Sequence, residues 1–179
     1  MKFSFSSNCE PDQIIALFAS AFADAEGEEE GAVIRRLVEN IYAKTDEKDL
    51  FVFCVLVEGE LAGAIMFTRM WYGEDNRTVF LLSPVAVKTS FQGRGLGQKL
   101  LNHGLECLRS AGVDMVLSYG NPDYYGKVGF QSLTQDMASP PHKLNHPHGW
   151  IGQSLQQEKF VPLRGPGQCV EAFEDPAYW

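Results

Sequence analysis

A chain of 179 residues, 45% of them hydrophobic, is long enough for one domain with a sizeable core. With 15 basic against 23 acidic residues the formal charge is −8, which argues against general nucleic-acid binding and suits a soluble surface or a cationic substrate. No apolar run approaches a membrane span, and the opening MKFSFSSNCEPD lacks the apolar core of a signal peptide, so a cytoplasmic protein is expected.

In chain order, Phe3 and Phe5 alternate with serines and predict a short strand over residues 2–6. Pro11 and Asp12 suit the first turn of a helix whose buried face carries Ile14, Leu17, Phe18, Ala21 and Phe22. The acid run from Glu26 through Glu28 to Glu30 reads as a solvated connection that also favours a helix N-terminus, and Val33, Ile34, Leu37, Val38 and Ile41 mark a second helix. LFVFCVLV at 50–57 and the apolar stretch 61–70 form a hairpin about Glu58, Gly59 and Glu60. Residues 71–76 read as a polar loop leading into a third strand from about Arg77 to Val87, which completes an antiparallel meander. Ser83 and Pro84 interrupt that strand's ladder and predict a bulge or splay, because proline donates no hydrogen bond.

The next stretch carries the strongest signal. Gln92, Gly93, Arg94, Gly95, Leu96, Gly97 and Gln98 follow the strand directly, and Leu100, Leu101, Gly104, Leu105 and Leu108 continue one helical face from Gly97. Glycines permit a tight turn and close approach of the backbone, while the first helical turn offers unpaired N–H groups and partial positive charge. Such a turn suits a phosphorylated cofactor, and Arg94 adds a cation. It is not a dinucleotide fingerprint, since from Gly93 the third glycine position falls on Gln98, and no P-loop is present. As a purely structural feature, the glycines would serve only the turn.

Ala111 and Gly112 stop the helix, and residues 113–119 (VDMVLSY) supply a strand that should run parallel to the one before the turn. Asn121, Pro122 and Asp123 open a short helix bearing Tyr124 and Tyr125, and Gly129-Phe130 opens the next strand. On their own the two tyrosines read as packing aromatics with wet hydroxyls. In the weakly patterned tail, residues 150–155 pack back on the sheet, an edge segment lies around 169–173, and the aromatic end docks. His142, His146 and His148 have no cysteine or acid at a familiar zinc spacing, so no metal site is expected. Cys9, Cys54, Cys107 and Cys169 form no Cys-x-x-Cys pair. Cys54 and Cys107 read as buried or part-buried thiols, and a disulfide framework is not expected.

Gln92-x-x-Gly95-x-Gly97 behind the strand PVAV resembles the acetyl-CoA motif of the GCN5-related N-acetyltransferase superfamily. LSPVAV, YYGKVGF and the aromatic end resemble a bacterial branch of predicted N-acetyltransferases, over roughly residues 1–175. The resemblance implies a single α/β (α+β) domain spanning 1–179, with a mixed, mostly antiparallel sheet, a splayed parallel pair and helices on both faces. It implies acetyl-CoA as cofactor and acetyl transfer to a primary amine by direct attack in a ternary complex. By the same resemblance, residues 92–98 hold the pyrophosphate, Val85, Ala86 and Val87 pair with the pantetheine arm, and Asn121 and Tyr125 border the cofactor. Tyr125, four residues before Gly129-Phe130, takes the place of the general acid that protonates the departing thiolate, with Tyr124 as its competitor. Ser83, Glu28, Glu58 and Asp123 are the candidate bases, and the acids of 26–30 border the acceptor. The acceptor stays open among peptide and small-molecule amines, the chain is expected as monomer or homodimer without nucleic-acid or membrane partners, and a non-catalytic acyl-CoA-binding module is the rival reading.

Overall fold

The computed structural model describes residues 2–179. The chain forms two compact units, one made of residues up to 67 together with 84–104, the other of 68–83 together with 105–179.

In the first unit, β1 (Phe3–Ser6) pairs antiparallel with β2 (Leu50–Val57), Phe3 lying opposite Val57 and Ser6 opposite Cys54. The order continues through β3 (Glu60–Tyr72) to β4 (Asp75–Val87), two strands whose residues are divided between the units. Helix α1 (Pro11–Glu26) buries Ile14, Leu17 and Phe18, and α2 (Glu28–Lys44) buries Ile34, Leu37, Val38 and Ile41. The expected connecting loop at 26–30 is not a loop. Gly27 alone, at φ 103°, separates the helices, and Glu28, Glu29 and Glu30 form the first turn of α2, where carboxylates meet the positive end of the helix. At Gly31 a Cβ would lie 2.7 Å from that of Ala23, so the two helices touch backbone to backbone.

The cysteine reading also needs correction. Cys54 is no free thiol but is bonded to Cys9, with Cα atoms 6.8 Å apart. The β1–β2 register brings this about: Ser6 faces Cys54, and a turn in which Ser6 accepts from the Asn8 amide returns Cys9 to the same place. Cys107 and Cys169 take part in no disulfide. Helix α3 (Leu96–Ser110) carries the predicted apolar face, and Gly104 is its contact point in this unit: a Cβ there would sit 2.6 Å from Ile65 and 3.0 Å from Phe67.

In the second unit, β4 runs parallel to β5 (Met115–Tyr119), from Val79 opposite Met115 to Leu82 opposite Ser118. β5 pairs antiparallel with β7 (Trp150–Ser154), and β7 with β6 (Gln131–Ser132). β8 (Gly167–Cys169) lies antiparallel to Met70–Tyr72 of β3. The strands thus form the expected mixed, mostly antiparallel arrangement with one parallel pair. The polar loop predicted at 71–76 shrinks to the turn at Gly73 and Glu74. Tyr72 is held in β3 by donating its hydroxyl to the Ser139 carbonyl at 2.9 Å, and Asp75 is held in β4 by Arg77. The expected edge segment is shorter than predicted, because Glu171–Phe173 is a 3-10 turn. The aromatic end does dock: Phe173 and Trp179 are buried, and the Trp179 indole donates to the Phe173 carbonyl. Among the described residues no helix is long and apolar enough to cross a membrane.

Candidate functional site

Along β4 the burial pattern changes at Ser83. Val79, Phe80, Leu81 and Leu82 are all buried, whereas from Ser83 the pattern alternates, with Pro84 and Ala86 buried and Ser83, Val85 and Val87 half-buried. Pairing with β5 covers only Val79 to Leu82. β4 itself continues to Val87, so the irregularity predicted at Ser83-Pro84 coincides with the end of its pairing with β5.

Beyond Val87, a 3-10 turn (Thr89–Phe91) leads to the exposed residues Gln92, Gly93, Arg94 and Gly95. Gly93 and Gly95 both sit at φ 72°, a left-handed conformation that side-chain-bearing residues reach only with strain. The turn is tied down on both sides. Gln92 donates its side-chain amide to the Val87 carbonyl at 2.9 Å, and Thr89 donates its hydroxyl to Asp24 of α1 at 2.7 Å. The Arg94 guanidinium lies over the Phe91 ring, 5.7 Å from its centre. The first helical bond of α3 runs from the Lys99 amide to the Gly95 carbonyl, so the N–H groups of Leu96, Gly97 and Gln98 have no intrahelical partner. A braced, exposed turn ending in three such amides is an anion cradle.

In the second unit, Asn121 caps α4 (Pro122–Tyr125) by accepting the Asp123 amide at 2.9 Å. This short helix ends on Tyr125, whose ring meets Phe130 edge-on at 5.6 Å and Tyr124 at 5.2 Å. Gly120 makes room for it, since a Cβ there would lie 2.7 Å from the Tyr125 ring. Burial, with Tyr124 adding to it, pushes the Tyr125 phenol well above its ordinary pKa, against the opposing effect of the Ser118 hydroxyl. Ser118 is 1% exposed and donates its own proton to the Leu82 carbonyl at 2.8 Å. Ser118 escaped the sequence reading, although a serine within MVLSY was a visible signal. Burial also raises the Tyr124 phenol.

Glu28 and Asp123 are exposed in the first turns of α2 and α4, and Glu58 is exposed at φ 52° in the β2–β3 turn. The rings of His146 and His148 are 5.9 Å apart. His142, which has no cysteine or acid at a familiar zinc spacing in the sequence, lies beside Cys169 and Glu174 in the fold.

Comparison with known proteins agrees with this geometry. The family model described as the acetyltransferase (GNAT) family matches residues 12–130, a stretch that takes in the glycine turn and Tyr125. The uncharacterized N-acetyltransferase YjhQ of Escherichia coli (strain K12) is 34% identical over 125 residues, covering 67% of this chain and 68% of YjhQ. The fold is similar to that of the E. coli GNAT family N-acetyltransferase YhbS in complex with CoA, with a TM-score of 0.76 and 19% identity over 96% of this chain and 91% of that one. It is also similar to a GNAT family acetyltransferase from Brucella melitensis in complex with acetyl-CoA, with a TM-score of 0.69 and 22% identity over 96% and 98%. A braced glycine turn at a helix start, a parallel strand pair and a matching family model lead to one conclusion: the chain belongs to the acetyltransferase (GNAT) family.

Proposed function

We propose that this acetyltransferase moves the acetyl group of acetyl-CoA to a primary amine, the amine attacking directly in a ternary complex. The observation that carries the reading is the exposed turn at Gly93, Arg94 and Gly95, with the N–H groups of Leu96, Gly97 and Gln98 behind it. It fits a pyrophosphate in charge and in backbone access. That the YhbS and Brucella structures hold CoA and acetyl-CoA supports the same cofactor for this chain.

When bound, acetyl-CoA supplies an acetyl group already activated as a thioester. The chain's own residues do the rest. The three amides bind the diphosphate, Arg94 adds positive charge, and Gln92 holds the turn to the end of β4. Val85, Ala86 and Val87 offer backbone groups that orient the pantetheine arm and polarise the carbonyl. Tyr125 holds at its Oη the proton that the leaving sulfur needs, and Asn121 caps the helix that presents it. Tyr125 is preferred to Tyr124 because its ring is fixed against Phe130 and fills the space left by Gly120. Ser83, Glu28, Glu58 and Asp123 are the groups that could take the amine's proton, and the acids of 26–30 favour a cationic acceptor. Residues 1–179 serve as one N-acetyltransferase domain, cytoplasmic, as monomer or homodimer.

Calorimetric titration with acetyl-CoA, with CoA and NAD as comparisons, tests the cofactor half. Binding of acetyl-CoA without binding of NAD is expected, followed by thiol release in the presence of a suitable amine. No binding of acetyl-CoA overturns the reading.

A further inference from the structure

The C-terminal part of the second unit brings together three side chains that are far apart in sequence. His142 belongs to the loop between β6 and β7, Cys169 ends β8, and Glu174 follows the 3-10 turn Glu171–Phe173. Their ligating atoms all lie within 4.8 Å of one another. Nε2 of His142 is 3.4 Å from Oε2 of Glu174, and Sγ of Cys169 is 3.8 Å from Oε1 of the same carboxylate. The carboxylate thus turns one oxygen to each partner. His142 Nε2 is buried and makes no hydrogen bond, an unusual state for a ring nitrogen held next to a carboxylate.

We propose that His142, Cys169 and Glu174 form a zinc site. A tetrahedral ion bound at about 2.0–2.3 Å separates its donor atoms by roughly 3.3–3.7 Å; the two contacts above, made to opposite oxygens of one carboxylate, are near that length, and the three donors all lie within 4.8 Å of one another. One imidazole, one thiolate and one carboxylate are donors suited to Zn²⁺, whereas Mg²⁺ and Ca²⁺ prefer oxygen alone. Binding replaces the thiol S–H by S–Zn and releases that proton to solvent. Cys169 is buried, while the Glu174 side chain is 56% exposed, which leaves an approach from water and room for a water as fourth ligand. The neighbours are structural: the His142 ring lies 6.3 Å from that of Trp179, whose carbonyl accepts the Asn145 amide and whose ring packs on Phe173. An ion here clamps the 142–145 loop to β8 and to the aromatic end of the chain.

Cobalt(II) titration of the 179-residue protein, stripped of metal and with Cys107 and Cys169 kept as thiols, tests the assignment. The expected result is a thiolate-to-cobalt charge-transfer band and intense visible bands that saturate at one equivalent and are displaced by zinc. Cys169→Ser should abolish the charge-transfer band, and His142→Gln should weaken cobalt binding at least tenfold while far-ultraviolet circular dichroism stays native. Zinc should also raise the thermal midpoint of the wild-type protein and not that of His142→Gln. Absence of the bands in the wild type overturns the proposal even if the variants fail to fold. So does a charge-transfer band that survives in Cys169→Ser, which would place the metal on another cysteine.

Discussion

A phenol that is to protonate a sulfur must still carry its proton at the pH of the reaction. Burial secures this for Tyr125 by raising its pKa, so the protonated form persists beyond the ordinary tyrosine range near pH 10. Tyr125→Phe keeps the ring against Phe130 and removes only the donor. Turnover should fall by about 10²–10⁴-fold with the dissociation constant for acetyl-CoA nearly unchanged, as steady-state kinetics and calorimetry would read out. An equal loss in both would reassign the residue to binding. The same shift carries a stability consequence: the contribution is complete below pH 10 and is lost as the pH rises through the higher native value. Tyr125 was legible in the sequence from its place before Gly129-Phe130, but Ser118 was not. Its partner is the carbonyl of Leu82, 36 residues away, and only the parallel register of β4 and β5 brings the two together.

At the scale of elements, the glycine turn depends on what braces it. Gln92→Ala removes the bond to Val87 at an exposed position. The fold should survive, while affinity for acetyl-CoA falls roughly 3–10-fold, the value of one lost hydrogen bond that had held the turn in place. The start of β4 has a brace of its own. Arg77 donates to the carboxylate of Asp75 and to the carbonyls of Val161 and Pro162, at 2.8 and 2.7 Å, and so fastens a distant loop. Hydrogen bonds from the Arg77 side chain hold the Asp75 carboxyl well below the usual carboxylate range, although burial opposes this. A lowered native pKa stabilises the fold above the ordinary carboxyl value near pH 4 and stops doing so as the pH falls below it. Asp75→Asn should therefore cost about 1.5–3 kcal/mol in urea unfolding at pH 7 and flatten the loss of stability on acidification. The helices and most strands were legible because their apolar faces repeat locally. The acid run at 26–30 and the polar residues at 75 and 76 misled, since one glycine and one long-range arginine decide those segments.

For the molecule as a whole, the order of elements and the turn between β4 and α3 were enough to indicate the fold class. The Cys9–Cys54 bond was not legible, because 45 residues separate the partners and no spacing rule anticipates a strand register. Closing a loop of that length restricts the unfolded chain, so reduction, or Cys54→Ser, should lower stability by about 2–4 kcal/mol. Urea midpoints measured with and without reductant would show it. The three tryptophans are distributed unevenly: Trp71, Trp150 and Trp179 all fall within 68–83 and 105–179, whereas the glycine turn lies in the other unit. Intrinsic indole emission therefore arises only in the unit that lacks the turn. Far-ultraviolet ellipticity responds to the helices and strands of both. Superimposed denaturation curves from the two signals would mean one cooperative melting, and curves that part would let each half be weighed separately.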